Sequence, residues 1–246
     1  MPSLDGPRLK CERAKEHLDN LTAEIAAYYS RKPYAISRDV HPEDPTRQVF
    51  RLNVREEPPL RLGIILGDVV HNLRSALDHL AFQLALVHTP MMTPKEETRI
   101  EFPIYKDSTL FNTEGLRKID KLSPAAQNEI KSLQPYHRGK DAELHFLWLV
   151  HSADIIDKHR QIVPRFTAYA VPILGTDGAI IGSFKDGDVV GVASANDNPD
   201  EDFQPPFFYA ILFEIGGSRP IAPANFYTIY QFISDDVLPR FAGFFS

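Results

Sequence analysis

Residues 60–87 read LRLGIILGDVVHNLRSALDHLAFQLALV, and the way this stretch divides into two faces decides the fold. Leu66, Val69, Val70, Leu73, Leu77, Leu80, Ala81 and Leu84 recur at intervals of three and four, which predicts a long helix with a broad apolar face. The opposite face is unusual. Between Leu60 and Pro94 the formally charged residues are Arg61, Asp68, Arg74 and Asp78, with no Lys or Glu, whereas a solvated helix face carries several. The spacing therefore predicts that this face too is covered. A covered arc holding His71, Asn72, Arg74, Ser75, Asp78 and His79 must satisfy its polar groups internally or use them on a ligand.

The stretches on either side suit a helical partner set. Leu9 to Tyr29 is amphipathic, with Leu18, Leu21, Ile25 and Tyr28 on one side. Tyr34 to Val40 and Gln48 to Val54 alternate around HPEDPT, the pattern of a β-hairpin, and Glu57, Pro58 and Pro59 stop it before the central helix. Pro90 and Pro94 bracket Met91 and Met92, read as gap-fillers at the base of a loop. Ile100 to Tyr105 is at most a short edge strand because of Pro103, and Phe111 to Leu122 is ambiguous. Ser123 and Pro124 signal a helix start that runs to Pro135. A second long helix is predicted over about 141–162, its apolar part formed by Leu144, Leu147, Trp148, Val150, Ile155 and Ile156.

From residue 161 the character changes. VPRFTAYAVPIL, AIIGSF and VVGVAS are β-rich, KDGD reads as a hairpin turn between the last two, and an acidic loop, Asn196 to Pro206, leads to the apolar strand FFYAILFEI. Pro223 to Phe241 is a closing helix with Phe226, Ile229, Tyr230, Ile233 and Val237 on one face. The expectation is an α+β protein: a helical bundle core with long helices at about 9–29, 60–88 and 141–162 and an inserted hairpin at about 34–54. Residues 1–160 form its mainly helical part. Residues 161–246 add antiparallel strands and the C-terminal helix, packed on the first part as one unit.

Composition narrows the function classes. The 246 residues are 43% hydrophobic, enough for a sizeable core, and a formal charge of −6 with pI near 5.8 argues against coating nucleic acid by bulk electrostatics. The one cysteine, Cys11, excludes an internal disulfide and fits a protein with no disulfide-linked partner. No signal-peptide pattern or run of roughly 18 apolar residues stands out, so a cytoplasmic protein without membrane contact is expected. No phosphate loop, nucleophile elbow or dinucleotide fingerprint is present, and no cofactor is expected.

Arg74 and His79 have the spacing R-x4-H inside the central helix, which resembles the signature of HEPN domains, helical modules whose active members cleave RNA without metal. The resemblance implies a homodimer through the central helix, in which an arginine and a histidine from two copies meet. Arg74 would hold the scissile phosphate of an RNA, and His79 would help transfer the proton of a ribose 2′-hydroxyl. Two departures stand against it: Ser75 follows the arginine where a larger polar residue is common, and a minimal HEPN bundle has no β-rich last third. A second pair at similar spacing, Arg138 and His145, straddles a predicted helix start. More broadly, GDVVHNLRSALDHLA, FPIY, LQPY and DIIDKHR together resemble a group of bacterial and phage-associated proteins to which no activity attaches.

Other readings of the same residues stay open. On an ideal helix Arg74 and His79 lie about 140° apart, so one copy does not aim both at one atom. Arg74 and Asp78 are i, i+4 and fit a buried ion pair, with His71 or His79 in the same network, in a non-catalytic binding or structural protein. Lys158, His159 and Arg160 end the second long helix, where cations suit its dipole; beside His71 and Arg74 they would form an anion pocket together with Asn72 and Asp78. A weaker alternative gathers His71, His79, His151 and Asp154 as metal ligands.

Overall fold

A computed structural model of the chain describes residues 1–170, 183–194, 207–216 and 220–245. It is an α+β protein with a helical core. Helix α1 (Asp5–Ser30) buries Cys11, Ala14, Leu18, Leu21 and Tyr28 at helical spacing against α2 (Arg61–His88). Burial pushes the Cys11 thiol up to about 12, so it stays a protonated core residue. Along α2 the apolar face from Leu62 to Leu84 is enclosed on all sides, each fully buried leucine contributing about 1.5–3 kcal/mol. Between these helices lie strands β1 (Tyr34–His41) and β2 (Asp44–Val54), paired antiparallel from Tyr34 with Val54 to Val40 with Gln48. The Tyr28 hydroxyl donates to the Glu56 carbonyl at 2.6 Å and ties the hairpin's exit to the end of α1.

Residues 100–105, expected as at most a short edge strand, have no strand partner. Ile100, Phe102 and Ile104 are buried, and side chains take the place of a ladder. Asp78 Oδ1 accepts the Phe102 N–H at 2.9 Å and Arg74 Nη2 donates to the Phe102 carbonyl at 2.9 Å. The buried Gln134 amide donates to the Pro103 carbonyl at 2.8 Å and accepts the Tyr105 N–H at 3.0 Å. Four backbone groups of the strap are thus bonded by side chains where a strand would use a ladder. Residues 108–118 form helical turns started by an Asp107 cap and widened to a π-turn over Phe111–Gly115, which settles the ambiguous stretch.

Ser123 caps α3 (Pro124–Ser132) as its sequence predicts. The second long helix departs from expectation at both ends. Pro135–Leu144 is a 3₁₀ segment broken at Gly139, whose φ is +56°, and α4 starts only at Phe146, where the His145 ring accepts the Leu147 N–H at 3.2 Å. It ends at His159, with Arg160 already extended at φ −149° and ψ 167°. Leu144 and Ile155, read as apolar-face residues, are exposed, and so is Met91, 92% exposed, while Met92 packs on the core as a gap-filler should.

Strands β3 (Val163–Ala170), β4 (Ser183–Phe184), β5 (Val189–Ser194) and β6 (Phe207–Glu214) make two small sheets, ordered β1-β2-β5 and β4-β3-β6. KDGD forms the expected turn, with the Asp188 N–H on the Lys185 carbonyl at 3.1 Å. The flanking strands do not pair with each other, however: β4 joins β3 and β5 joins β2. The turn hands the chain from one sheet to the other. Residues 171–182 and the acidic loop expected at 196–206 lie outside the described residues. The closing helix α5 (Pro223–Gln231) buries Phe226 and Ile229 and continues through a π-turn to Arg240, with Ile233 and Val237 also buried. No helix among the described residues is long and apolar enough to cross a membrane.

Candidate functional site

Helices α2 and α4 run past each other in opposite directions, matching Gly67 with Asp157, His71 with Asp154 and Arg74 with His151. Along this seam the polar face of α2 is half covered. Arg74 is 7% exposed and Asp154 2%, whereas His71 and His79 both reach solvent.

The Arg74 guanidinium is committed to the fold. Nη2 donates to Asp78 Oδ1 at 2.7 Å and to the strap carbonyl of Phe102, so the i, i+4 ion pair is real and grips both polar groups of one peptide residue. Burial raises the Asp78 carboxyl's pKa, opposed by the Arg74 cation and the Phe102 N–H. Nη1 is buried without a hydrogen-bond partner among the described residues, and so is His151 Nδ1. Burial, with the Arg74 cation next, pushes the His151 imidazole down to about 4, so it is neutral at pH 7. His145 is pushed down to about 4 in the same way, mainly by burial.

The sign of the resulting pH dependence follows from proton counting. Between an ordinary histidine pKa near 6.5 and the folded value, the unfolded chain binds a proton that the native chain refuses. This part of the stability is complete above about pH 6.5 and is lost as pH falls toward 4. The melting temperature of the wild type should therefore drop over that interval, and a His151→Gln variant should drop less. Parallel melting curves for the two proteins would refute the assignment.

His71 is held differently. Its Nδ1 lies 3.2 Å from Asp154 Oδ1, and the second oxygen of that buried carboxylate accepts Lys158 Nζ at 2.6 Å. The imidazole is 56% exposed while the carboxylate that orients it is 3% exposed. His71 Nε2 makes no hydrogen bond among the described residues. One buried anion thus fixes an imidazole and an ammonium side by side at the solvent boundary, an arrangement suited to moving a proton next to a negative charge.

The predicted site residues therefore divide. His71 and Lys158 are brought together, and Asp78 joins Arg74. Asn72 is turned toward α1, accepting Lys10 Nζ at 3.5 Å and donating to the Asp68 carbonyl at 2.8 Å. His159 and Arg160 are exposed at the end of α4. His79 is exposed and next to Gly6 of α1, whereas the Arg74 guanidinium is buried on Asp78 and Phe102, so one chain does not converge Arg74 and His79. The four residues of the metal alternative are likewise divided, and no group of three or more His, Cys, Asp or Glu among the described residues is placed to hold a metal ion. The sequence reading missed Glu101, paired with Lys118 at 2.6 Å, which adds to the field around His151. It also gave Asp154 no orienting role. An acid sitting three residues after His151 and four before Lys158, on one face with both, was the available signal.

No family model, no curated protein and no solved structure matches this chain.

Proposed function

We propose that the chain is a HEPN-like, metal-independent RNA-cleaving protein or a degenerate relative of one, with the proton-transfer role on His71 rather than His79. The observation that carries this reading is the buried Asp154 carboxylate holding His71 Nδ1 and Lys158 Nζ together. In the reaction His71 Nε2 takes the proton of a ribose 2′-hydroxyl. The 2′-oxygen then bonds to the adjacent phosphorus, the bond to the 5′-oxygen breaks, and that oxygen takes a proton from solvent, leaving a 2′,3′-cyclic phosphate. Lys158, with Arg160 and His159 at the same helix end, balances the phosphate charge. Arg74 supports the strap instead of touching the phosphate.

The test is cleavage of single-stranded RNA in the presence of EDTA, with end-group analysis. His71→Ala should lower the rate about a hundredfold or more, the range for losing a general base, while His79→Ala stays near wild type. Loss in His79→Ala with His71→Ala unaffected would return the role to the R-x4-H pair. Equal traces for all three proteins would favour the second reading, a non-catalytic binding or structural protein, which the full commitment of Arg74 Nη2 to Asp78 and Phe102 supports.

A homodimer through α2 belongs to the same proposal. Leu60 and Ile64, 55% and 54% exposed at the start of that helix, are its apolar candidates. Light scattering should then give a dimer for the wild type and a monomer for Ile64→Glu; a wild-type monomer would remove the dimer from the proposal.

A further inference from the structure

Trp148, His151, Ile155 and Lys158 follow one another on α4 at steps of three, four and three, so they form one stripe beside the seam with α2, half-buried at Trp148 and His151 and exposed at Ile155 and Lys158. Trp148 is the one tryptophan in the chain. It is half-buried, 5.5 Å from the His151 ring at an interplanar angle of 59°, and carries Lys106 Nζ 4.4 Å from its ring centroid. Lys106 is also paired with Glu143 in the 3₁₀ segment before α4. Asp154 lies six positions along the helix from Trp148, about 9 Å along the axis.

We propose that Trp148 is a stacking platform for an unpaired nucleobase, which makes single-stranded RNA, not duplex, the substrate class of the His71 site. This rests on the cleavage reading given above. The phosphate is held at the Lys158 end of the stripe and a base of the same strand lies on the indole at the other end. A base inside a duplex is already stacked on its neighbours and has no free face to offer, whereas an unpaired one does. Lys106 covers the indole in the free protein. A cation over an aromatic ring at the surface is a weaker contact than a stacked base, so the base displaces the ammonium, which keeps its Glu143 partner.

Because Trp148 is the single tryptophan, fluorescence excited at the red edge, where the nine tyrosines do not absorb, reports on this position alone. The experiment titrates the full chain, in EDTA and at fixed salt, with a 2′-O-methyl oligoribonucleotide, which lacks the attacking hydroxyl, and with the same sequence annealed to its complement. Saturable quenching by the single strand, with at least tenfold weaker binding of the duplex, is the expected result. Lys106→Ala should keep or strengthen the quenching. Trp148→Leu should raise KM for RNA cleavage about tenfold, the change falling on KM rather than kcat. Unchanged fluorescence at saturating single strand in a wild type that cleaves RNA would overturn the stacking site and leave the cleavage reading intact. Equal quenching by duplex would overturn the substrate class. Quenching without any cleavage would remove the catalytic reading while the platform stands.

Discussion

Asp78→Ala is expected to destabilise the protein by about 3 kcal/mol, the lower end of the range for removing one partner of a buried ion pair. Asp78 Oδ1 is the acceptor for both Arg74 Nη2 and the Phe102 N–H, so the substitution leaves a guanidinium 8% exposed and a backbone donor without it. About a third of the Asp78 side chain already meets solvent, and water entering there is why the larger figure of about 5 kcal/mol is not expected. In a chain of this size the melting temperature should fall on the order of 10 °C. The double variant Arg74→Met, Asp78→Leu separates two contributions. It removes the buried charge and should recover part of the loss, yet the Phe102 N–H and carbonyl stay without those side-chain partners, which costs about 1–3 kcal/mol. Full recovery in urea unfolding at unchanged m-value would show that the pair does not clamp the strap.

Gly63→Ala should be of similar size, about 3 kcal/mol, for a steric reason. A Cβ on Gly63 would lie 1.9 Å from the Ile162 carbonyl oxygen and 3.0 Å from its carbon, both backbone atoms where the chain leaves α4 for β3. Backbone there cannot step aside without moving β3, and the gain of about 1 kcal/mol in helix propensity does not offset the overlap. Gly67 is the internal control. A Cβ there would meet Asp157 Oδ1 at 2.2 Å, but that oxygen is the end of a side chain that can rotate away. Gly67→Ala should therefore change stability by less than about 1 kcal/mol. Equal losses for the two alanines in thermal melts would mean that the Ile162 backbone yields as readily as a side chain does.

Both glycines sit in the stretch whose sequence was easiest to read, and the two kinds of legibility differ. The period of α2, the alternation of β1 and β2 and the cap at Ser123 are local patterns, written in residues three, two or one apart, and the structure has these elements. The strap at residues 100–105 is held by side chains on α2 and at the end of α3, 24 to 31 positions away, and no local period encodes that. The same limit applies to β4 and β5: a KDGD turn predicts a reversal but not which partners the two strands take. At the candidate site, the sparse charge on one face of α2 correctly implied cover for Arg74. It did not show that the cover stops short of His71 and His79, since that depends on where α4 and the strap lie.

The pairing of β5 with β2 bears on how the chain is made. Synthesis delivers Val54 some 135 residues before Val189, so on the ribosome the β2 edge of the hairpin waits roughly 7–27 s for its partner. An open edge of that kind is a template for another nascent chain. Slowing translation downstream of the hairpin lengthens the wait, and the yield of native protein then comes to depend on chaperones that shield the edge.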